Sequence, residues 1–137
     1  FRIRKYMNLK SKLQEIVDYS ESNPFMEVCG FLGFDDKIEG YVVQNLENIA
    51  EDPRNNFMLD PLEYLMFKEK FDMVAIYHSH INVDEQPSEF DVKMCNNCCI
   101  PFLIYSLETK KFNLYEPQNL ETDVNIHNRF KDDYDNY

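Results

Sequence analysis

The sequence predicts an α/β (α+β) domain, a β-sheet flanked by helices. Three observations carry that expectation. The chain has 137 residues, close to the modal size of one domain. Apolar residues make up 44% and aromatics 15%, enough for a filled core and too many for wholesale disorder. Helix-period stretches alternate with short apolar runs, in the order helix, hairpin, helix, strand, helix, hairpin.

Residues Asn8 to Glu21 place Leu9, Leu13, Ile16, Val17 and Tyr19 among Lys, Gln and Glu, which predicts an amphipathic helix. Asn23-Pro24 stops it, because the residue before proline is pushed out of the helical region. Val28 to Phe34 and Tyr41 to Leu46 are apolar runs around the turn-like Asp35 to Gly40, a hairpin pattern. Asn48 to Asn56 is polar and loop-like, and Phe57-Met58-Leu59 reads as a short strand. Asp60-Pro61 is a helix start, with a capping carboxylate and proline at the first helical position; that helix is expected to run to about Phe71. Met73 to Tyr77 is apolar and ends at two histidines, as a buried strand delivering them at its C-terminal end would. After the loop Asn82 to Pro87, Ser88 begins a helix with Glu89 and Asp91 in its first turn, where the helix dipole favours acids. Ile100 to Leu107 and Lys111 to Tyr115 form a final hairpin.

The net charge of −11 excludes several classes of partner. It repels phosphate backbones, so general nucleic-acid binding is not expected, nor is an anionic membrane surface. No apolar run reaches the length of a membrane span, and no signal peptide is visible. Phe1 rather than Met opens the chain, as expected of a processed or partial product. Cys29, Cys95, Cys98 and Cys99 do not form a disulfide framework, and a reduced compartment is the simpler expectation. Cys95-x-x-Cys98 has half the spacing of a cysteine zinc site without a second half, so it reads as small thiols on a helix end.

The informative stretch runs from Tyr77 to Asp91. His78 and His80, two apart on a strand, project to one side. Asp91 shares a helix face with Ser88, and the seven residues Ile81 to Pro87 are enough to fold it back onto the histidines. Two imidazoles and one carboxylate suit zinc and leave a coordination position open, as in catalytic rather than structural sites. Glu27, at the rim of the first core strand, is the candidate general base; partial burial would raise its pKa into a useful range. Ser88 is a candidate donor to a developing oxyanion. Ser79 is expected to pack or hydrogen-bond locally, and His127 to be exposed.

Glu27, His78-x-His80, seven residues, Ser88, two residues and Asp91 together resemble the JAMM motif of the MPN-domain metallopeptidases, with no departure in spacing. One family habit is absent, since Ile81 stands where a proline often follows the second histidine; no ligand is lost by it. Met26 to Leu32, Asn48-Ile49-Ala50 with Phe57 and Asp60-Pro61, and Pro87 to Asp91 with Cys95 and Ile100 to Ile104 are similar to the short bacterial and phage members, above all the JAMM domain of phage tail-tip assembly peptidases. The resemblance implies an MPN (cytidine-deaminase-like) fold with a mixed, curved sheet over residues 1–116, and leaves 117–137 as an acidic C-terminal tail or linker. It implies Zn2+ on His78, His80 and Asp91, with Glu27 and Ser88 catalytic. The implied activity is hydrolysis of peptide or isopeptide bonds, in phage tail assembly or cell-wall entry. The implied partners are other tail-tip proteins or a peptide or ubiquitin-like substrate, and the implied location is the virion tail tip, or the cytoplasm if the chain is not phage-encoded. Two alternatives stay open: a structural tail-tip subunit that retains the metal site, and a bacterial deconjugase of ubiquitin-like proteins. Residues from Glu116 on, with Phe130, Tyr134 and Tyr137 among acids, read as a linker or a segment ordered on a partner.

Overall fold

A computed structural model describes the backbone of residues 2–137 and the side chains from Asn8 onward. The elements are α1 (Arg2–Glu21), β1 (Cys29–Asp35), β2 (Gly40–Leu46), α2 (Pro61–Lys70), β3 (Asp72–His80), α3 (Glu89–Cys98), β4 (Phe102–Ser106), β5 (Phe112–Tyr115) and α4 (Val124–Asp135). The strands form one five-stranded sheet in the order β2-β1-β3-β4-β5. Only the β3–β4 pair is parallel, and α3 is the crossover that a parallel pair requires. The sheet is therefore mixed, with helices on both faces.

Side-chain alternation along the strands divides the core in two. Leu32 and Phe34 of β1 and Tyr77 of β3 face α1, meeting Leu9, Leu13 and Ile16. Phe31 of β1 and Ile76 of β3 face the other way, onto Phe67 of α2 and Cys95 of α3. Two close approaches explain the glycines of β1. A Cβ on Gly30 would sit 2.2 Å from the Gln44 carbonyl oxygen and 2.4 Å from the Tyr77 ring, and one on Gly33 would sit 2.5 Å from the Phe67 ring. Tyr77 can lie across β1 and bond Asn45 through its hydroxyl only because position 30 has no side chain.

Two expectations give way here. Phe57-Met58-Leu59 is not a strand. The segment does not pair with the sheet and instead packs Phe57 into the α2/α3 side of the core. Residues expected as a solvated or partner-ordered tail contain α4, which packs beside α1. Phe130 is fully buried in the same core as Leu9 and Leu13. The Tyr41 hydroxyl donates to Asp133 at 2.6 Å. His127 is buried too, with Nε2 2.8 Å from Glu116, whose other oxygen accepts from Lys131 at 3.0 Å. Among the described residues, no helix is long and apolar enough to cross a membrane.

Candidate metal centre

Strand parity delivers the site. Ile76, His78 and His80 alternate onto the face that carries α3, and α3 starts directly after the loop that leaves β3. Ser88 caps that helix: its Oγ accepts from the Asp91 N–H at 3.0 Å, and Asp91 Oδ2 accepts from the Ser88 N–H at 3.0 Å. This reciprocal capping box fixes the Asp91 carboxylate at the helix start, turned toward the end of β3. Its Oδ1 lies 3.1 Å from His78 Nε2 and its Oδ2 lies 2.9 Å from His80 Nε2. His80 is held from its far side, where Nδ1 bonds the Asp84 carbonyl at 2.7 Å. Phe57 stacks on the His78 ring at 4.2 Å.

The donor set fits a metal ion. One ligand atom from each of His78, His80 and Asp91 lies within 4.8 Å of the others, and this is the one such group among the described residues. All three residues are buried. His78 is completely so, yet neither of its ring nitrogens makes an aligned hydrogen bond, the 3.1 Å approach to Asp91 being too poorly directed to count. An imidazole nitrogen buried without a partner is costly unless something else takes its lone pair, and a cation does so. Cys95 and Cys98 take no part; Cys95 is turned to the Ile100 carbonyl instead.

The electrostatics match this geometry. Burial pushes the His78 pKa down, keeping the ring neutral and ligand-ready. Burial alone would also lower His80, but its bonds to Asp91 and the Asp84 carbonyl outweigh that and raise it. For Asp91 burial acts upward, and the contacts with His78 and His80 hold its carboxyl below the usual carboxylate range.

Glu27 lies just before β1, only 5% exposed, and lines one cleft with His80 and Ser88. Burial pushes its carboxyl up to about 8, with His80 opposing the rise and Asp91 and Asp52 adding to it. Its backbone is tied down: the Glu27 N–H donates to Pro53 O at 2.7 Å and its carbonyl accepts from Asn48 Nδ2 at 2.9 Å. Two contributions were not legible beforehand. Asn48 organises the loop beside Glu27, a role a lone Asn in a polar stretch does not announce. Ser79, expected to pack or hydrogen-bond locally, is fully buried and reaches further: its Oγ accepts from the Val28 N–H at 2.9 Å, while its own N–H donates to Val28 O at 3.0 Å. It thereby docks the entry to β1, and so Glu27, against the histidine strand.

Known proteins share this fold and parts of this sequence. Residues 9–118 match the family described as prokaryotic homologs of the JAB domain. Over 92 residues the chain is 29% identical to tail tip assembly protein K of Escherichia phage N15, covering 67% of this chain and 37% of that protein. The chain thus spans little more than a third of that relative's length. The solution structure of a Desulfitobacterium hafniense protein superposes with a TM-score of 0.61 at 26% identity, covering 83% of this chain and 86% of the other.

Proposed function

The chain belongs to the family of prokaryotic homologs of the JAB domain, and from that premise we propose that it is a zinc-dependent hydrolase of peptide or isopeptide bonds. His78, His80 and Asp91 are the ligands, Glu27 the general base and Ser88 the oxyanion donor. The observation that carries this reading is the convergence of Glu27, from before β1, on the cleft that holds His80 and Ser88. Zinc held by His78, His80 and Asp91 would supply Lewis acidity toward the scissile carbonyl and the attacking water. Glu27 takes the proton from that water and returns it to the leaving nitrogen, a shuttle suited to a carboxylate held near neutrality by burial. The Ser88 oxygen accepts from Asp91 N–H, which leaves its own O–H to donate to the carbonyl oxygen as charge develops there.

We further infer a role in phage tail assembly, with tail proteins as partners and the virion tail as location. The similarity to the N15 tail tip protein supports this. The chemical reading is tested by elemental analysis and by cleavage of a mixed peptide pool. One zinc per chain is expected, with cleavage abolished by chelation and restored by zinc. Glu27→Gln should keep the metal and lose cleavage, since Gln fills the same volume without accepting a proton. Full activity in that variant, or loss of its zinc, sinks the assignment. Probing purified virions for the chain tests the location; its absence from them counts against a tail role.

A further inference from the structure

The cleft containing Glu27, His80 and Ser88 has a volume of about 330 Å3, and Arg54 is the one Lys or Arg on its wall. Of the Lys and Arg side chains among the described residues, three form ion pairs. Lys12 pairs with Glu15, Lys110 with Glu21 and Lys131 with Glu116. Arg54, which is exposed, has no ion pair or hydrogen bond among the described residues. Of the nearby acids, Asp52 and Asp84 already accept other bonds, while Glu27 shares the cleft with Arg54. Asp52 accepts from Asn55 Nδ2 at 3.0 Å, and Asp84 accepts from the Gln86 N–H at 3.0 Å.

The loop bearing Arg54 is also anchored. Asn48, 8% exposed, donates through Nδ2 to the Glu27 and Asn56 carbonyls, both at 2.9 Å, and accepts from the Ala50 and Met58 N–H groups at 3.0 and 3.1 Å. Pro53, immediately before Arg54, takes the Glu27 N–H. The backbone at Arg54 is therefore fastened to the backbone of the proposed base. The facing wall is pinned as well: Ser106 Oγ donates to Val83 O at 2.6 Å, and Thr109 Oγ1 donates to Glu85 at 2.6 Å. An unpaired guanidinium carried on an anchored loop at the edge of a cleft can receive a planar anion, and a carboxylate accepts two of its parallel N–H bonds.

We propose that Arg54 reads the substrate, receiving a carboxylate that lies beside the scissile amide, so that the cleft selects acidic peptides over neutral ones. The word scissile rests on the hydrolase reading above. The carboxylate can come from an Asp or Glu side chain or from a chain terminus near the cut, and both present the same fork to the guanidinium.

The test uses a synthetic hexapeptide pool varied at every position and made with both free and amidated C-termini. Zinc-loaded protein is incubated with the pool and the products are read by mass spectrometry. In parallel, the pool is passed over immobilised zinc-loaded Glu27→Gln protein, which reports binding without turnover. Asp or Glu, or a free terminus, within two residues of the cut should be enriched over Asn, Gln or amide by roughly 10–100-fold, the range for a charge-assisted hydrogen-bond pair. Side-chain and terminal carboxylates separate by whether amidation abolishes the enrichment. Arg54→Ala should lose the enrichment while keeping its metal stoichiometry. Arg54→Lys should keep part of it, and Arg54→Glu should turn the preference to Lys and Arg. Cleavage without acidic enrichment, or enrichment unchanged in Arg54→Ala, overturns the proposal. Acidic, Arg54-dependent binding without any cleavage overturns the hydrolase reading and leaves the carboxylate site standing. Neither cleavage nor acidic binding overturns both.

Discussion

Replacing Glu27 by Gln should stabilise the metal-free protein, and more so as pH rises. Glu27 is 5% exposed, and burial raises its carboxyl from 4.5 to about 8. Between those values the folded state keeps the proton and the unfolded chain has lost it. The unfolded state then binds fewer protons, so the Glu27 contribution to stability falls as pH rises through this window. At 1.36 kcal/mol per pH unit, the gap between 4.5 and about 8 sets a ceiling of about 5 kcal/mol, reached only above pH 8. Gln carries no such penalty. His80, Asp91 and Asp52, the charges acting on Glu27, remain in both proteins, so the difference between them isolates the carboxyl. Urea unfolding in chelator at pH 5.5 and 8.5 is the assay. The variant's advantage should grow by about 3 kcal/mol between the two, moving the midpoint by about 1 M or more at a typical slope of ~1–3 kcal/mol/M. Adding zinc should shrink the advantage, because a nearby cation favours the ionised carboxylate that Gln lacks. A pH-independent difference, or a wild type that gains on the variant at pH 8.5, would show Glu27 to be solvated and remove the physical basis for its role as base.

Other consequences are as direct. His80→Ala should reduce bound zinc from one per chain to near none by elemental analysis, and unchanged stoichiometry would refute the ligand set. Ser88→Ala should lower kcat by the equivalent of ~2–4 kcal/mol in the barrier and also cost ~1 kcal/mol of stability through the lost cap, so a change confined to KM would contradict the oxyanion role. Ser79→Ala leaves the buried Val28 N–H without its side-chain acceptor and should cost ~1–3 kcal/mol by denaturant unfolding, with no loss of metal. Phe130→Ala empties a fully buried aromatic site and should cost ~3–5 kcal/mol; a cost under 1 kcal/mol would mean that α4 does not dock as described.

Much of this architecture was legible where local chemistry is emphatic. Asp60-Pro61 does start α2, with Asp60 accepting the Leu62 N–H at 3.0 Å. Ser88 and Asp91 were legible because one pair of residues serves twice, capping α3 and offering a carboxylate to the histidines. The misses share a different cause. Residues 57–59 have strand composition, but no strand of the sheet pairs with them, and pairing is a property of the whole sheet rather than of the segment. In α4 polar residues dominate any average, while Ile126, Phe130 and Tyr134 recur every four residues and supply the stripe that packs on α1. A charge count hides that stripe, and a test for helical period would have exposed it. His127 is buried by the same helix and paired with Glu116, an acid that the tail reading had left in solvent.

The least legible feature is also the one on which the centre depends. The β1–β3 ladder shifts register between Leu32 and Gly33: Leu32 pairs with Ala75, but Gly33 pairs with Met73, so Val74 is an extra residue in β3. Val74 and Ala75 accordingly both face the α1 side, whereas Met73 and Ile76 face α2 and α3. In Met73-Val74-Ala75-Ile76 every residue is apolar, so no alternation marks which one is extra. Yet a slip of one residue exchanges the two faces of every position beyond it. With the bulge, Met73 can cover Phe67 on one side of the sheet while His78 and His80, on that same side, meet Asp91 at the start of α3. Without it, strand pairing that kept Met73 in place would turn both imidazoles toward the Leu9, Leu13 and Ile16 layer and away from Asp91. The candidate metal site is therefore specified by a backbone irregularity four residues before His78 and six before His80, as much as by the side chains themselves.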